Sequence, residues 1–246
     1  MKIIDAFWEK RNLGVSCVEV TVNTDDGPEI AERLDKLVAE YIVVKVPSKK
    51  IDLMFMLEDK GYHFIETQLA VSHNLKGIDN INSGIIARVV SELQYSEMTS
   101  EDLTELFLQI RSEVFESDRV YLDPEFTHEQ ASNRYIGWIT DEKKRGATLY
   151  KVTFEGRSIG FFSLYNDKEN ICHASVSCVY KGYENSGMGL GVYYYMVVEA
   201  KKRGSKSMSG AGVAVSTNNV RSLKALIAVG FQVKNAFYVY VKHGKK

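Results

Sequence analysis

The sequence predicts a mixed α/β protein in two parts: a small α/β domain over residues 1–80 and a larger one, with a mixed central sheet, over residues 81–246. Two observations lead to this prediction. Short alternating or continuously apolar runs, typical of strands, are interleaved with segments whose apolar residues recur at helical spacing. Residues 74–84 are polar, contain glycine and lack periodicity, so they mark the boundary between the two parts.

In the first part, predicted strands alternate with predicted helices. Proline at positions 28 and 47 favours the start of a helix, because proline fits the first helical turn. Apolar residues follow the first of these prolines at helical spacing, and Gly61 ends the second helix. The predicted strands are Ser16–Val22, Tyr41–Val46 and Tyr62–Val71, with helices over residues 30–41 and Lys49–Lys60 between them.

The order β-α-α-β-β-β-α-β-α-β is predicted for the second part. Thr127 and Gln130 have the spacing of a capping box, and Gly230 is a C-terminal stop for the last helix. The predicted strands are Ile85–Val90, Ala147–Phe154, Arg157–Tyr165, Ile171–Tyr180, Lys206–Val215 and Phe231–Val241. The predicted helices cover residues 99 or 100 to about 115, 127 to about 143, 191 to 204, and Asn219–Val229.

Charge and hydropathy favour a cytoplasmic protein that acts on small molecules. The formal net charge is -1, so there is no global electrostatic footprint for nucleic acid or an acidic membrane. No apolar run approaches the roughly 20 residues of a membrane helix, and charged residues interrupt the N-terminus before a signal sequence could form. A homodimer is compatible with these features.

The three cysteines do not have the spacing of metal ligands, and we expect no metal site. Cys172 and Cys178 lie in one predicted strand at even separation, which predicts that both face the same side. Buried free thiols in a reducing compartment are therefore expected.

A glycine-containing loop between a predicted strand and a predicted helix is the most informative stretch. It runs from Val179 to Gly191 and contains Gly187 and Gly189. Free N–H groups at a helix N-terminus bind anionic phosphates, and glycine lets the backbone approach them closely. The loop therefore predicts a phosphate-bearing ligand.

Two nucleotide-binding motifs fit this loop poorly. A Rossmann loop needs G-x-G-x-x-G after an early strand and an acidic residue about 20 positions later, whereas this loop is G-x-G-x-G and lies late in the chain. The P-loop spacing is absent around Gly204 and Lys206. A purely structural role, in which glycine permits close packing of helix and strand, remains open.

The loop resembles the coenzyme A pyrophosphate loop of the GNAT superfamily of N-acetyltransferases, whose pattern is [QR]-x-x-G-x-[GA]. The matching residues are 184–189, with Glu184 in place of the usual Gln or Arg. Asn219, Ser222, Gly230 and Phe231 resemble that superfamily's N-x-x-A-x-x-x-Y-x-x-x-G-F helix. The resemblance implies acetyl-CoA as co-substrate and a sheet with two splayed strands. The expected cofactor-binding residues are Val179, Glu184, Asn185, Ser186, Gly187, Met188, Gly189, Leu190 and Asn219.

A looser resemblance links the chain to amino-sugar N-acetyltransferases of the TDP-fucosamine type. It rests on residues 117–126 and 134–139 and on the small N-terminal domain, which includes Phe7-Trp8 and the segment from Lys60 to Thr67. It implies an acceptor site in which Arg119 and Tyr121 contact the phosphates of a nucleotide-linked amino sugar, since arginine suits bidentate phosphate contact.

The resemblance implies direct attack of a primary amine on the thioester, with an N–H near Val179 polarising the carbonyl. Candidates for the base are His173, expected on the same face of its strand as Val179, and Asp123. The superfamily's tyrosine acid is replaced here by Leu226, so a tyrosine elsewhere is required or no acid is needed. The candidates are Tyr193, Tyr194, Tyr195, Tyr240 and, in our assignment, Tyr238.

Three functions remain open on the sequence. The first is acetylation of an amino sugar, and the second is the same chemistry on a protein N-terminus or another small amine. The third is a non-catalytic acyl-CoA-binding protein, which the residues at Glu184 and Leu226 keep in consideration.

Overall fold

The computed structural model describes residues 1–27, 29–78, 84–209 and 215–244. In the first part, three helices alternate with four strands. The elements are β1 (Lys2–Asp5), α1 (Trp8–Leu13), β2 (Cys17–Thr21), α2 (Ile30–Asp35), β3 (Tyr41–Pro47), α3 (Ile51–Asp59) and β4 (His63–His73). The three predicted strands and the helix before Gly61 are confirmed. The helix predicted over residues 30–41 ends at Asp35, and Pro47 is the last residue of β3 and does not open a helix. The periodicity did not indicate β1 and α1.

The second part begins with α4 (Ile85–Ser91) and β5 (Leu93–Glu97). Three helices follow, and then most of the strands. The remaining elements are α5 (Ser100–Arg111), α6 (Arg119–Leu122), α7 (His128–Lys144), β6 (Thr148–Phe154), β7 (Arg157–Asn166), β8 (Ile171–Val179), α8 (Gly189–Lys202), β9 (Ser207–Ser209), β10 (Val215–Ser216), α9 (Val220–Ala228) and β11 (Gln232–His243). Residues 210–214, within the strand predicted at Lys206–Val215, lie outside the described residues.

The predicted strand at Ile85–Val90 is wrong, because this segment forms α4. Ile86 and Val89, three positions apart, pack as one helical face on the core beneath α8. A short apolar run fits either a helix or a strand, and here the edge strand is the next segment, β5, which pairs with β6.

Capping explains the starts of the two longest helices before the sheet. Thr99 and Asp102 form a capping box at α5, and Thr127 and Gln130 form one at α7, as the sequence predicted for the second. These reciprocal bonds satisfy N–H groups that the first helical turn leaves without partners.

One sheet runs through both parts of the chain in the order β1-β2-β3-β11-β4-β9-β8-β7-β6-β5, with β10 also paired to β4. The last strand, β11, inserts between β3 and β4 of the first part. Most neighbours are antiparallel, whereas β2/β3 and β8/β9 are parallel. The segment at 74–84 connects β4 to α4, and its residues 79–83 lie outside the described part.

Helices cover both faces of the sheet. One face packs against α2, α3, α4, α8 and α9, whose buried residues join the core clusters around Val44 and Phe162. The other face packs against α1, α5, α6 and α7, with clusters around Val43 and Phe161. No helix in the described part of the chain is both long and apolar enough to cross a bilayer.

Strand β8 contains a bulge that changes which side chains share a face. Phe162 pairs with Ser177 and Leu164 with Ala174, so β8 has one more residue than β7 between these two pairs. Cys172 therefore packs in the core beneath α8, whereas Cys178 packs on the opposite face beneath α5 and α7. The prediction that the two cysteines face the same side is wrong for this reason.

All three cysteines are free thiols. Burial raises the pKa of Cys17 to about 12 and that of Cys172 to about 11, so both are protonated at neutral pH.

Candidate functional site

A cavity of about 770 Å³ lies where the sheet divides between β8 and β4. Its lining includes Tyr193 and Leu226 from the face covered by α8 and α9. It also includes Glu66 and Arg119 from the face covered by α6 and α7. The cavity therefore passes through the sheet, and its volume is typical of small-molecule sites.

The division of the sheet arises because β8 loses its neighbour partway along. β9 pairs with β8 only over Ile171–His173, and β10 pairs with β4 instead. From Ala174 to Val179, this edge of β8 has no paired strand among the described residues. The predicted splayed strands are thereby confirmed.

The backbone groups on this open edge follow from alternation along the strand. The amide of Tyr180 donates to the carbonyl of Ile159 at 2.8 Å, on the β7 side. Since successive residues of a strand direct N–H and C=O to opposite sides, the amides and carbonyls of Ser177 and Val179 face the open edge. An extended ligand can pair with them as an added strand would.

The glycine loop leads directly into α8. Asn185 and Gly187 adopt left-handed conformations, with φ of 66° and 83°. The amides of Asn185, Gly187 and Gly189 have no hydrogen-bond partner among the described residues. Because they gather at the N-terminus of a helix of 14 residues, they are available to an anion.

Several of the residues predicted to bind the cofactor make hydrogen bonds within the loop. The Ser186 hydroxyl donates to the carbonyl of Tyr183 at 2.5 Å and accepts from the amide of Met188 at 3.2 Å. The amide of Leu190 donates to the carbonyl of Gly187 at 3.0 Å, and Glu184 accepts from the amide of Gly182 at 2.6 Å. Asn185, Gly187 and Gly189 are among the predicted residues whose amides have no partner in the described part of the chain.

The glycines have different roles. A Cβ at Gly191 would overlap the Leu93 side chain of β5, so this glycine permits close packing of α8. A Cβ at Gly189 would lie 3.4 Å from Val179 Cγ2, which places the loop beside the end of the open edge of β8. The packing interpretation therefore explains Gly191 and not Gly187 or Gly189.

Tyr193 occupies the cavity wall where α8 faces α9. It is 6% exposed and lies beside Leu226, which is 4% exposed. Burial raises the pKa of Tyr193, although hydrogen bonding to the Ser222 and Ser177 hydroxyls opposes this. The hydroxyl stays protonated at neutral pH and can donate a proton. Nearby, Asn219 caps α9 by accepting from the amide of Ser222 at 3.1 Å.

On the other face of the sheet, buried ion pairs line the cavity. Arg134 contacts Glu9 at 2.8 Å and Asp118 at 3.5 Å, and Arg119 pairs with Glu19. Burial favours the neutral form of Glu19, yet the charges of Arg119 and nearby Lys45 hold its pKa at about 2. The Arg119 guanidinium is thus engaged by a carboxylate through Nη2, and the bidentate phosphate contact that the resemblance implied stays a prediction.

Glu66 was missed by sequence reasoning. It lies on β4, is 2% exposed and lines the cavity. Oε1 accepts from Gln68 Nε2 at 2.7 Å, whereas Oε2 is buried and has no hydrogen bond within 3.5 Å in the described part of the protein, although interaction with the Ser216 side chain lowers the pKa of the carboxyl. The one sequence signal that could have indicated Glu66 is a glutamate at a core-facing position of a predicted apolar strand.

Several predicted residues lie away from the cavity lining. His173 faces the opposite side of β8 from Ser177 and Val179 because of the bulge, stacks on Tyr165 and contacts Asp167 Oδ2 at 2.8 Å. The expectation that it shares a face with Val179 is therefore wrong.

Asp123, Tyr238 and Tyr121 are also absent from the described lining of the cavity. Asp123 is 2.9 Å from His243 Nε2, and Tyr238 packs against Phe64 on β4. The Tyr121 hydroxyl donates to Glu113 at 2.9 Å. Two positions apart on a helical turn, Arg119 and Tyr121 face different sides, so only Arg119 reaches the cavity.

With this geometry established, comparison with solved structures identifies the fold. No family model and no curated protein matches the sequence. A GCN5-related N-acetyltransferase from Sphaerobacter thermophilus has a similar structure, with a TM-score of 0.63, 11% identity, and coverage of 98% of this chain and 75% of that one.

Two further structures are similar. One is an acetyltransferase of the GNAT family from Colwellia psychrerythraea, with a TM-score of 0.55, 15% identity, and coverage of 88% and 70% of the two chains. The other is a GCN5-related glucosamine N-acetyltransferase region of a fungal multi-domain protein, with a TM-score of 0.56, 13% identity, and coverage of 82% of this chain and 25% of that one. The chain thus has the GNAT fold that its motifs predicted.

Proposed function

We propose that the protein transfers an acetyl group from acetyl-CoA to a primary amine. The observation that supports this most directly is the cavity through the divided sheet. It joins an open strand edge, suited to an extended ligand, to a polar pocket on the opposite face. Two substrates that enter from opposite faces meet in the gap, where most of the rate comes from holding them together.

In this proposal, acetyl-CoA occupies the face covered by α8 and α9. Its diphosphate accepts hydrogen bonds from the amides of Asn185, Gly187 and Gly189, and the helix dipole of α8 adds to the attraction. Its pantetheine pairs with the exposed backbone groups of Ser177 and Val179. The thioester carbonyl then lies near the Val179 amide, which polarises it.

The amine attacks the thioester carbon directly, and the carbon–sulfur bond breaks. We assign proton donation to the departing thiolate to Tyr193, because it is the buried, protonated tyrosine that lines the cavity beside Leu226. A thiolate is a fair leaving group near neutral pH, since a thiol pKa is about 8.5, so the acid assists the reaction without being indispensable.

For the acceptor, a nucleotide-linked amino sugar remains our more specific proposal. Arg119 is paired with Glu19, so we assign phosphate contact to the cations Lys144 and Arg145, which line the cavity from the C-terminal end of α7. Residues 1–80 supply much of the acceptor wall. A protein N-terminus or another small amine is the alternative acceptor.

Thermal unfolding with acetyl-CoA tests the ligand, because a molecule that binds only the folded state stabilises it. We expect stabilisation of the wild type and its loss in Gly189→Glu, where a carboxylate replaces the diphosphate. Gln232→Glu, which adds the same charge at an exposed position on β11, is the matched control and should respond like the wild type.

Release of free thiol with a panel of amines then tests transfer. The panel contains glucosamine, for which one structural neighbour is named, spermidine and a peptide with a free N-terminus. Absence of stabilisation at millimolar acetyl-CoA would contradict the proposal. Stabilisation without turnover on any amine would favour the non-catalytic acyl-CoA-binding function.

A further inference from the structure

One of the five described carboxylates that line the cavity differs from the other four in its ion pairing. Four of them form ion pairs with arginine: Glu9 and Asp118 with Arg134, Glu19 with Arg119, and Asp141 with Arg11. Glu66, the fifth described carboxylate of the lining, has no ion pair within 4 Å in the described chain. A buried carboxylate without a cation is costly, and a cationic ligand removes that cost.

Glu66 is positioned at the gap through the sheet. Its strand, β4, pairs with β10, where Ser216 lies opposite Gln68. These residues form one wall of the cavity, and Ser175 and Ser177 of β8 line it as well. Glu66 therefore lies on a wall of the gap that would receive the thioester.

A second buried atom lacks a partner on the same side of the cavity. Arg119 Nε makes no hydrogen bond among the described residues, although Nη2 of the same guanidinium pairs with Glu19. Arg119 and Glu66 both line the cavity, and the charge of Arg119 lowers the pKa of Glu66. One acceptor and one donor without partners on residues of the same cavity suit a ligand that offers both a donor and an acceptor.

We propose that Glu66 binds the protonated amine of the acceptor and takes its proton, and that Arg119 Nε donates to an oxygen close to that nitrogen. The substrate class is therefore a primary amine with a neighbouring hydroxyl or carbonyl oxygen, such as a 2-amino sugar. This inference rests on the proposed acetyl transfer and specifies its acceptor.

The ammonium gives one proton to Glu66, and the nitrogen lone pair that this frees forms the new bond to the thioester carbon. The carbon–sulfur bond then breaks, and the sulfur takes a proton from Tyr193. The nitrogen loses its second proton after the attack, which restores the Tyr193 hydroxyl. Glu66 releases its proton to solvent, so each turnover converts an ammonium and a thioester into an amide, a thiol and one proton. Burial raises the pKa of Glu66, which brings this carboxylate closer to the basicity that a general base needs.

Amine binding without acetyl-CoA tests this site separately from acetyl transfer. Thermal unfolding of the full chain is measured with glucosamine, with cyclohexylamine, which lacks the oxygen, and with N-acetylglucosamine, which lacks the charge. We expect glucosamine to stabilise the wild type most. Glu66→Gln should lose that stabilisation yet retain the response to acetyl-CoA. Glu58→Gln, the same substitution outside the cavity, should behave like the wild type.

Turnover provides the second readout. Glu66→Gln should lower kcat/KM for glucosamine about 100-fold at pH 7 and recover part of it at pH 9, where more of the amine is already neutral. Glu66→Asp, which keeps the charge, should have a kcat/KM between that of the wild type and that of Glu66→Gln. It provides the test if Glu66→Gln does not fold.

An unchanged glucosamine response in Glu66→Gln, or no response of the wild type to any amine, would overturn the inference even if acetyl-CoA binds. Loss of the acetyl-CoA response in the wild type would instead count against the proposed function. The two failures are therefore distinguishable.

Discussion

Tyr193 of α8 and Leu226 of α9 line the same wall of the cavity, and the tyrosine hydroxyl lies within reach of Ser177 on the open strand. The position at which the motif resemblance implies a tyrosine thus has an apolar side chain, and a tyrosine from the neighbouring helix reaches the same space.

Replacement of Tyr193 with phenylalanine should lower kcat about 10-fold to 100-fold at pH 7, because the thiolate then leaves without a proton donor. Acetyl-CoA binding should be unchanged, since the backbone groups that we propose to hold it remain. Thiol release and thermal shift measure the two effects. Tyr194→Phe, one residue along α8 and outside the described lining, should have wild-type kinetics, and an equal loss in both variants would exclude a specific role for Tyr193.

The stability difference between the wild type and Glu66→Gln should depend on pH. The folded-state pKa of Glu66 is raised by burial, although Ser216, Arg119 and Gln68 lower it. Its folding contribution is therefore fully present below the unfolded pKa of about 4.3 and is lost as pH rises through the folded value. We expect Glu66→Gln to be the more stable protein at pH 8 and the advantage to shrink toward pH 4.

Urea unfolding of both proteins across this pH range provides the measurement. The other charged or titratable groups that act on this site are Asp118, which caps α6, Arg119 of α6, Lys45 of β3 and Tyr135 of α7. All four groups are present in both the wild type and the Glu66→Gln variant. A difference that stays constant from pH 4 to pH 8 would show that the pKa of Glu66 is not raised.

Replacement of Arg134 with glutamine should destabilise the fold by about 3–5 kcal/mol, because it leaves Glu9 and Asp118 without their buried cation. Arg11→Gln removes an arginine from a more exposed pair with Asp141 and should cost about 1 kcal/mol or less. Denaturant unfolding at pH 7 compares the two. Similar losses in the free energy of unfolding would mean that the buried pairs of Arg134 stabilise the fold no more than an exposed pair does.

Gly191→Ala should destabilise the protein by about 1–3 kcal/mol, because the added methyl group overlaps the Leu93 side chain in a packed core. Gly189→Ala is the matched control, since its Cβ would meet only Val179 Cγ2 at 3.4 Å. The double variant Gly191→Ala with Leu93→Val should recover part of the loss. Additive effects in the double variant would show that the two positions are not in contact.

Much of the fold could be predicted because its signals are local. The capping box at Thr127, the hairpin turn between β6 and β7, and the glycine loop before α8 each depend on residues within a few positions of one another. The free amides of Gly187 and Gly189 are also a local feature, because they follow from the order of a strand, a loop and a helix along the chain. The segment that became α4 was the exception, because a short apolar run suits a helix as well as a strand.

The sequence by itself determined the order of most strands and helices, the position of the glycine loop before α8, and the presence of leucine in place of tyrosine at position 226. The tertiary structure alone decided that β11 inserts between β3 and β4, that His173 faces away from the open edge, and that Glu66 is the described cavity carboxylate that forms no ion pair within the described residues. The physical reason is the range of the interactions. Helix caps and turns are made between near neighbours, whereas strand insertion, a bulge and ion pairing depend on which distant segments meet.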